Sequence, residues 1–454
     1  MYIHFFLKSK IIKLYIFICK IYNIIMDVCS IILSAGKGNR MLSSTPKPLH
    51  TIAGKSMLQW VIDANKNAKV NRSIIVIPPK NKKIEEVTNK FEIVIQSSPL
   101  GTGDAVKKAA KLLTNYNGII LISFADTPFV STKTLKNLIT SIKKGSKIAI
   151  TGFKKTEPNN YGKIIFSQNK PQEIIEEKDA KLKNISSKFC NGGIMALHSS
   201  MLNYLNKLSN KNINKEIYLT EIVKIISNYN HKTEFIEINE EEILGVNNQI
   251  DLSNAERIAQ NFLRNKAMLN GVKLIAPETI FLNHDTKIGK DVTINPNVIF
   301  GENVSIGNDV QILSFSHLAN CRILEKSVIG PFARLRDKTL IGSHSRIGNF
   351  VEIKNSTLKK ETKVNHLTYL GDADVGEKTN IGAGTITCNY DGKNKNKTII
   401  GKNSFIGSNT SLIAPIKIGN NSTLAAGSVF NKDIPSNNLS IGRSYQVNKK
   451  KKKT

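Results

Sequence analysis

Two hydrophobic rhythms divide this chain. Up to about residue 250, short apolar runs alternate with amphipathic stretches. Val28–Ser34, Ser73–Ile77, Ile93–Ile95, Ile119–Ser123 and Ile148–Thr151 predict strands. Met57–Ala68, Gly103–Leu113 and Lys133–Lys143 have helical spacing. Uninterrupted apolar runs suit strands covered on both faces, so this half reads as βαβ units around a mainly parallel sheet. Leu252–Leu269 keeps helical spacing without Gly or Pro and predicts a connecting helix.

Beyond about Gly271 the rhythm shortens. Glycines recur at multiples of six, as at Gly289, Gly301 and Gly307, or Gly330, Gly342 and Gly348, usually after Ile or Val. One inward aliphatic per six residues is the hexapeptide step of a parallel β-helix. Three steps close one triangular coil. The repeat fixes architecture and says nothing of chemistry by itself.

With 454 residues, the chain has room for two or three domains. Its net charge of +30 invites a nucleic-acid or membrane-surface reading. The lysines are scattered, however, and nine lie in the terminal segments: Lys8, Lys10, Lys13, Lys20 and Lys449–Lys453. No helix-turn-helix, zinc-finger or RNP pattern is present, so nucleic acid is not expected; no apolar run approaches the ~18–20 uninterrupted residues of a spanning helix, so stable membrane insertion is not expected either. Five cysteines without paired or metal-type spacing fit a reducing compartment, so a cytoplasmic location is expected. Residues 1–25 are apolar but broken by lysines. They read as an anchor, an interfacial helix, or an extension upstream of a true start at Met26; the last is preferred, because a complete strand begins just after it.

Candidate chemistry starts where the first strand ends. Ala35-Gly36-Lys37-Gly38-Asn39-Arg40 places glycines and cations after a parallel strand, which suits an anion. Pro46-Lys47-Pro48 presents a second cation on a stiffened segment. Gln96 precedes a second glycine turn, Gly101-Thr102-Gly103, suited to a base or ribose. Asp126 follows a central strand, where open α/β sheets bind ligands. It is read as a magnesium ligand or as the cap of the turn before Pro128.

The motifs LSAGKGNRM, QSSPLGTGDA, FAD, NYGKI, IIEEKDA, CNGGI and GVNN occur in the order seen in sugar-phosphate nucleotidyltransferases. The first half resembles the uridyltransferase domain of the bifunctional N-acetylglucosamine-1-phosphate uridyltransferase/glucosamine-1-phosphate acetyltransferase family. The resemblance implies that Leu33, Ala35, Gly36, Gly38, Arg40 and Lys47 contact UTP, with Arg40 and Lys47 serving catalysis by charge. It assigns Gln96, Gly101 and Thr102 to uracil, and Gly162, Glu176 and Asn191 to the sugar. Asp126 and Asn247 would bind Mg²⁺. The chain departs from the family pattern at Phe124-Ala125 (usually Tyr-Gly), at Asp104 (usually His) and at Gly192 (usually Thr).

In the second half, polar and aromatic residues interrupt the aliphatic rhythm over successive coils, and such interruptions stack along a solenoid edge. A histidine there is suited to general-base work near neutral pH. Of eight histidines, His366 has the fitting neighbours; the rest read as structural or surface. GPFARLR, NFVEIK, HLTYLGDA and NIGAGTITCNYDG closely match the acetyltransferase half of the same family. By that resemblance His366 is the base, and Arg336, Lys354, Tyr369 and Asn380 bind the acceptor sugar phosphate. Asn389, Tyr390, Ser408, Ala426 and Arg443 would contact acetyl-CoA, with Asn389 also near the sugar. The segment after Thr387 would loop out of its coil.

The implied organisation is a leader (1–26), an α/β Rossmann-like nucleotidyltransferase domain (27–250), a linker helix (251–272), a left-handed β-helix acetyltransferase domain (273–448) and a basic tail (449–454). The implied assembly is a homotrimer whose chains share each acetyl site, with Mg²⁺ as cofactor and acetyl-CoA and UTP as co-substrates. Three other readings stay open at this point. They are a single-activity nucleotidyltransferase with a non-catalytic β-helix, a non-catalytic assembly subunit, and a nucleic-acid binder.

Overall fold

The computed structural model describes residues 26–155 and 161–450. The readings placed on residues 1–25 and on the end of the basic tail lie outside them. The chain divides between Ala255 and Glu256 into two compact units.

The first unit is built on a nine-stranded sheet. Its strands are β1 (Asp27–Leu33), β2 (Arg72–Ile77), β3 (Glu92–Ile95), β4 (Gly118–Phe124), β5 (Ile148–Lys154), β6 (Lys163–Ser167), β7 (Lys170–Ile175), β8 (Phe189–His198) and β9 (Thr233–Glu237). The main order is β9-β5-β8-β4-β1-β2-β3. The apolar runs are continuous because both faces are covered. Ile31, Ile120 and Ile122 belong to one buried cluster, and Val28, Ile119 and Leu121 to another. Ser56 and Ser131 accept hydrogen bonds from Gln59 N and Thr134 N, so each starts a helix, Met57–Asn67 and Thr132–Lys143.

The sheet is mainly parallel, as expected, with one antiparallel strand inside its main order. β8 runs antiparallel between β4 and β5, and β6 and β7 form a hairpin beside it. Two adjacent glycines interrupt the apolar run of β8, which hid it from the sequence pattern. Its register with β5 shifts between Asn191 and Met195. A Cβ on Gly192 would lie 2.6 Å from Thr151 Oγ1, so the bulge is closed against its neighbour.

In the second unit the predicted triangular coil is realised as three all-parallel sheets of ten, eight and eight strands. Each coil contributes one short strand to each sheet. Thr293 pairs with Gln311, Gln311 with Val328, and Val328 with Arg346. Stacked aliphatics such as Ile312, Ile329, Ile347 and Val364 fill the interior. Each fully buried one contributes about 1.5–3 kcal/mol. The glycines sit where coils touch: a Cβ on Gly307 would lie 2.7 Å from Glu325 N. One coil is longer in all three sheets, where Asn380 pairs with Phe405, Ile386 with Ser411 and Ala373 with Thr398. The expected loop after Thr387 supplies that extra length. The helix Gln249–Leu269 closes one end of this core. Gln260 exchanges hydrogen bonds with the backbone of Leu282, while Leu263 and Ala267 pack on the first coils.

Candidate active sites

β1 ends at Leu33, and Ser34 N still bonds Val76 O at 2.8 Å. The chain then leaves the sheet over its C-terminal edge. A Cβ on Gly36 would meet nothing within 4 Å, so the loop faces open space there. Gly38 has φ +65°, and a Cβ on it would lie 2.8 Å from Lys47 Cβ. Only glycine lets the two cationic segments approach this closely.

Lys47 has 12% of its side chain exposed. Its Nζ donates to Asp126 Oδ2 at 2.5 Å and to Asn247 Oδ1 at 3.0 Å. Arg40 Nη2 donates to the same amide oxygen at 2.9 Å. Asn247 is itself fixed, since its N–H bonds Asp251 Oδ2 at 2.9 Å and its Nδ2 bonds Gly245 O at 3.3 Å. The Asp126 carboxylate therefore serves this cluster rather than its own turn. Two hard oxygens converge on one cation, the lysine ammonium.

The residues expected to receive base and sugar meet through the segment 217–220. Gly101 (φ +113°) packs so tightly that a Cβ would lie 2.5 Å from Ile217 O. Gly103 N donates to Ile217 O at 2.8 Å, and Leu219 N donates to Thr102 Oγ1 at 3.1 Å. Next in the chain, Thr220 Oγ1 donates to Glu176 Oε1 at 2.8 Å. Burial pushes the Glu176 carboxyl up, and the Thr220 hydroxyl offsets only part of that. Asn191 N bonds Gly162 O at 2.8 Å, which places both beside Glu176. The Phe124 ring lies 3.4 Å from where a Cβ of Gly193 would stand, so the ring packs against this glycine.

In the β-helix, stacking makes neighbours of residues one coil apart. Asn349 pairs in register with His366, and Asn349 Oδ1 meets His366 Nδ1 at 2.8 Å. The carbonyl oxygen only accepts, so Nδ1 carries a proton, and in the neutral ring the lone pair is the one on Nε2. His366 closes a strand of the ten-stranded sheet. Along that same edge, Gly384 N donates to His366 O, Asn409 N to Ala383 O, and Gly427 N to Ser408 O. Gly427 in turn lies against the Arg443 side chain. His366, Ser408, Ala426 and Arg443 thus form one row over successive coils.

A second row lies at the end of the following sheet. Arg336 pairs in register with Lys354, and Lys354 with Gly371. Arg336 Nε donates to Glu352 Oε1 at 2.7 Å. The looped-out segment brings Lys395 against Lys354, and this second ammonium lowers the Lys354 pKa. Burial pushes the Asp372 carboxyl up, but amide donation from Asn355 and Asn389 outweighs it and the net shift is downward. Gly371 leaves the room in which Tyr369 and Asn389 meet, since a Cβ would lie 2.7 Å from Asn389 Nδ2. Tyr390 is exposed and donates to Gly392 O at 2.6 Å. Asn380 joins neither row; it opens a strand of the ten-stranded sheet, at the opposite edge from His366.

Sequence reasoning missed Asn349, Glu352, Asp372 and Lys395. The first three sit inside recognised motifs, but only the coil register shows what they touch. Lys395 was lost in the general excess of lysine.

Residues 30–217 match the MobA-like NTP transferase domain, and residues 285–320 and 397–432 match the bacterial transferase hexapeptide repeats. The "Bifunctional protein GlmU" of Zymomonas mobilis is 40% identical over 428 residues, 92% of this chain and 95% of that one. The protein of the same name from Paramagnetospirillum magneticum is 40% identical over 92% of this chain and 94% of its own. The chain belongs to the GlmU family. That from Wolbachia pipientis is also 40% identical and is covered over 98% of its length. As a GlmU protein the chain is a bifunctional uridyltransferase and acetyltransferase of UDP-N-acetylglucosamine synthesis, which sets aside the single-activity, non-catalytic and nucleic-acid readings.

Proposed function

We propose that the two clusters divide the two reactions between them, with the residue roles that follow. Acetylation comes first, on the β-helix. Arg336, Lys354 and Lys395 hold the phosphate of glucosamine-1-phosphate, whose charge relieves the repulsion between the two lysines. Tyr369, Asn380 and Asn389 hold the sugar. His366 Nε2 takes a proton as the amine attacks the thioester carbon of acetyl-CoA, and coenzyme A leaves as the thiol. Asn349 holds the imidazole in the tautomer this needs. Tyr390, Ser408, Ala426 and Arg443 contact the coenzyme, Arg443 through a phosphate.

Uridylylation follows in the α/β unit. A phosphate oxygen of N-acetylglucosamine-1-phosphate attacks the α-phosphorus of UTP, and pyrophosphate leaves. No protein nucleophile is needed, because both reactants are anions and the main requirements are positioning and charge neutralisation. Gln96, Gly101 and Thr102 receive the uracil; Gly162, Glu176 and Asn191 receive the sugar. Leu33, Ala35, Gly36 and Gly38 line the loop beside the nucleotide. Asp126 and Asn247 would hold Mg²⁺: their hard oxygens already share one cation, and among the described residues too few carboxylates gather for a cage made of protein alone. There it would supply neutralisation of phosphate charge, and Lys47 and Arg40 would be free to turn to the phosphate oxygens.

A homotrimer fits the rows described above. Asn380 stands apart from His366 within one chain, so a neighbouring copy completing each acetyl site accounts for both. An exposed ladder of stacked rings, Phe315–Phe332–Phe350, offers an apolar edge for such contact. Among the described residues no helix is long and apolar enough to cross a membrane, and the free thiols of Cys29, Cys321 and Cys388 suit the cytoplasm, where we place the enzyme.

The observation that carries this reading is that each unit holds its own charge-matched cluster on its own scaffold. The test is direct. The protein is incubated with glucosamine-1-phosphate, acetyl-CoA, UTP and Mg²⁺, and UDP-N-acetylglucosamine is measured as each component is left out. Product that forms without acetyl-CoA or without the metal overturns the scheme.

A further inference from the structure

Asp104 lies beside the glutamine proposed to read the base, and its contacts give it a task. It lies in the first turn of the helix Thr102–Ala110 and is 8% exposed. Its Oδ2 accepts from Gln96 Nε2 at 2.9 Å and from Lys108 Nζ at 3.0 Å. The other hydrogen of Gln96 Nε2 goes to Gly101 O at 3.0 Å. That carbonyl is held in place by its neighbours: Ile217 N donates to Leu100 O at 2.7 Å and Gly103 N to Ile217 O at 2.8 Å.

A carboxylate paired with lysine and a backbone carbonyl both accept and neither donates. Gln96 therefore meets them only through its nitrogen. The opposite orientation would set its oxygen against two acceptor oxygens. Both N–H groups are consumed, and Oε1 is turned away from them. Gln96 is 7% exposed, and among the described residues none donates to that oxygen. The result is an acceptor of fixed direction on an otherwise buried side chain.

We infer that Asp104 is a positioning residue that locks the Gln96 amide as an acceptor and so selects uracil over cytosine. The inference rests on the base subsite proposed above. Uracil presents an N3–H, which Oε1 accepts. Cytosine presents a bare N3, whose lone pair would face the Oε1 lone pairs. An amide free to turn over would serve either base. Sites that bind a defined donor discriminate strongly against analogues lacking it, because a buried polar group is left unpaired.

The test compares kcat/KM for UTP and CTP in the full-length protein, with N-acetylglucosamine-1-phosphate and Mg²⁺. Wild type prefers UTP. Asp104→Leu lowers the UTP-to-CTP ratio by about tenfold or more, mainly through KM for UTP. Asp104→Asn keeps most of the ratio, because its oxygen still accepts. Acetyl transfer and circular dichroism report folding, and Asp104→Ala replaces the leucine variant if that one does not fold. An unchanged ratio in a folded Leu or Ala variant overturns the inference. A wild type without preference for UTP overturns the base subsite itself.

Discussion

In the α/β unit Lys47 meets Asp126 and Asn247 across sequence separations of 79 and 200 residues. In the β-helix His366 meets Asn349 across 17. The first site exists because parallel strands end on one edge of a sheet, so loops from remote parts of the chain converge there. The second exists because each coil repeats the last, so a fixed step along the chain becomes a step along an edge. A sheet-edge site gathers residues that no local pattern connects. A solenoid site gathers residues that the repeat itself lines up, and it can extend along an edge only in rows.

The largest effect expected is a double dissociation. His366→Ala removes the proposed base and lowers acetyl transfer by about 10²–10⁴-fold, while uridylyl transfer stays within about twofold. Asp126→Asn does the converse, read as pyrophosphate release. Equal loss of both activities in a folded variant would break the division between the units.

A smaller effect tests the coil register. Asn349→Leu leaves His366 in place but frees its tautomer, and kcat for acetyl transfer falls about tenfold with little change in KM for the sugar phosphate. The pH profile of kcat should shift as well, which a purely structural role would not produce. A profile that coincides with that of wild type would mean that Asn349 does not orient the ring.

The smallest effect is one of stability and belongs to the sheet-edge site. Burial raises the Glu176 pKa, so the folded chain keeps this proton to higher pH than the unfolded chain does. Stability is fully present below the ordinary carboxylate value and is lost as pH rises towards the raised one. Glu176→Gln removes that loss and raises the melting temperature by about 1–2 °C at neutral pH, with the gain vanishing in acid. A gain that persists at low pH would trace to packing instead.

Legibility followed the same contrast. Ile119–Ser123, Met57–Ala68 and the hexapeptide glycines were readable because burial on both faces, helical spacing and coil contact each leave a period in the sequence. β8 was not readable, since Gly192 and Gly193 interrupt it for the sake of a bulge. The residues Lys47, Asp126 and His366 stood out through motifs. Asn349, Asp372 and Lys395 did not, because their meaning lies in what stands one coil away.

The sequence by itself determined that an α/β half precedes a β-helix, and its motifs pointed to the family and its two reactions. Those properties depend on local periods and on short runs of residues, which the chain carries without folding. Only the tertiary structure decided that β8 runs antiparallel, that one lysine ammonium joins Asp126 to Asn247, that Asn349 holds the proton on His366 Nδ1, and that Asp104 turns the Gln96 amide. Each of these depends on the direction of a hydrogen bond between groups that the chain brings together only once folded.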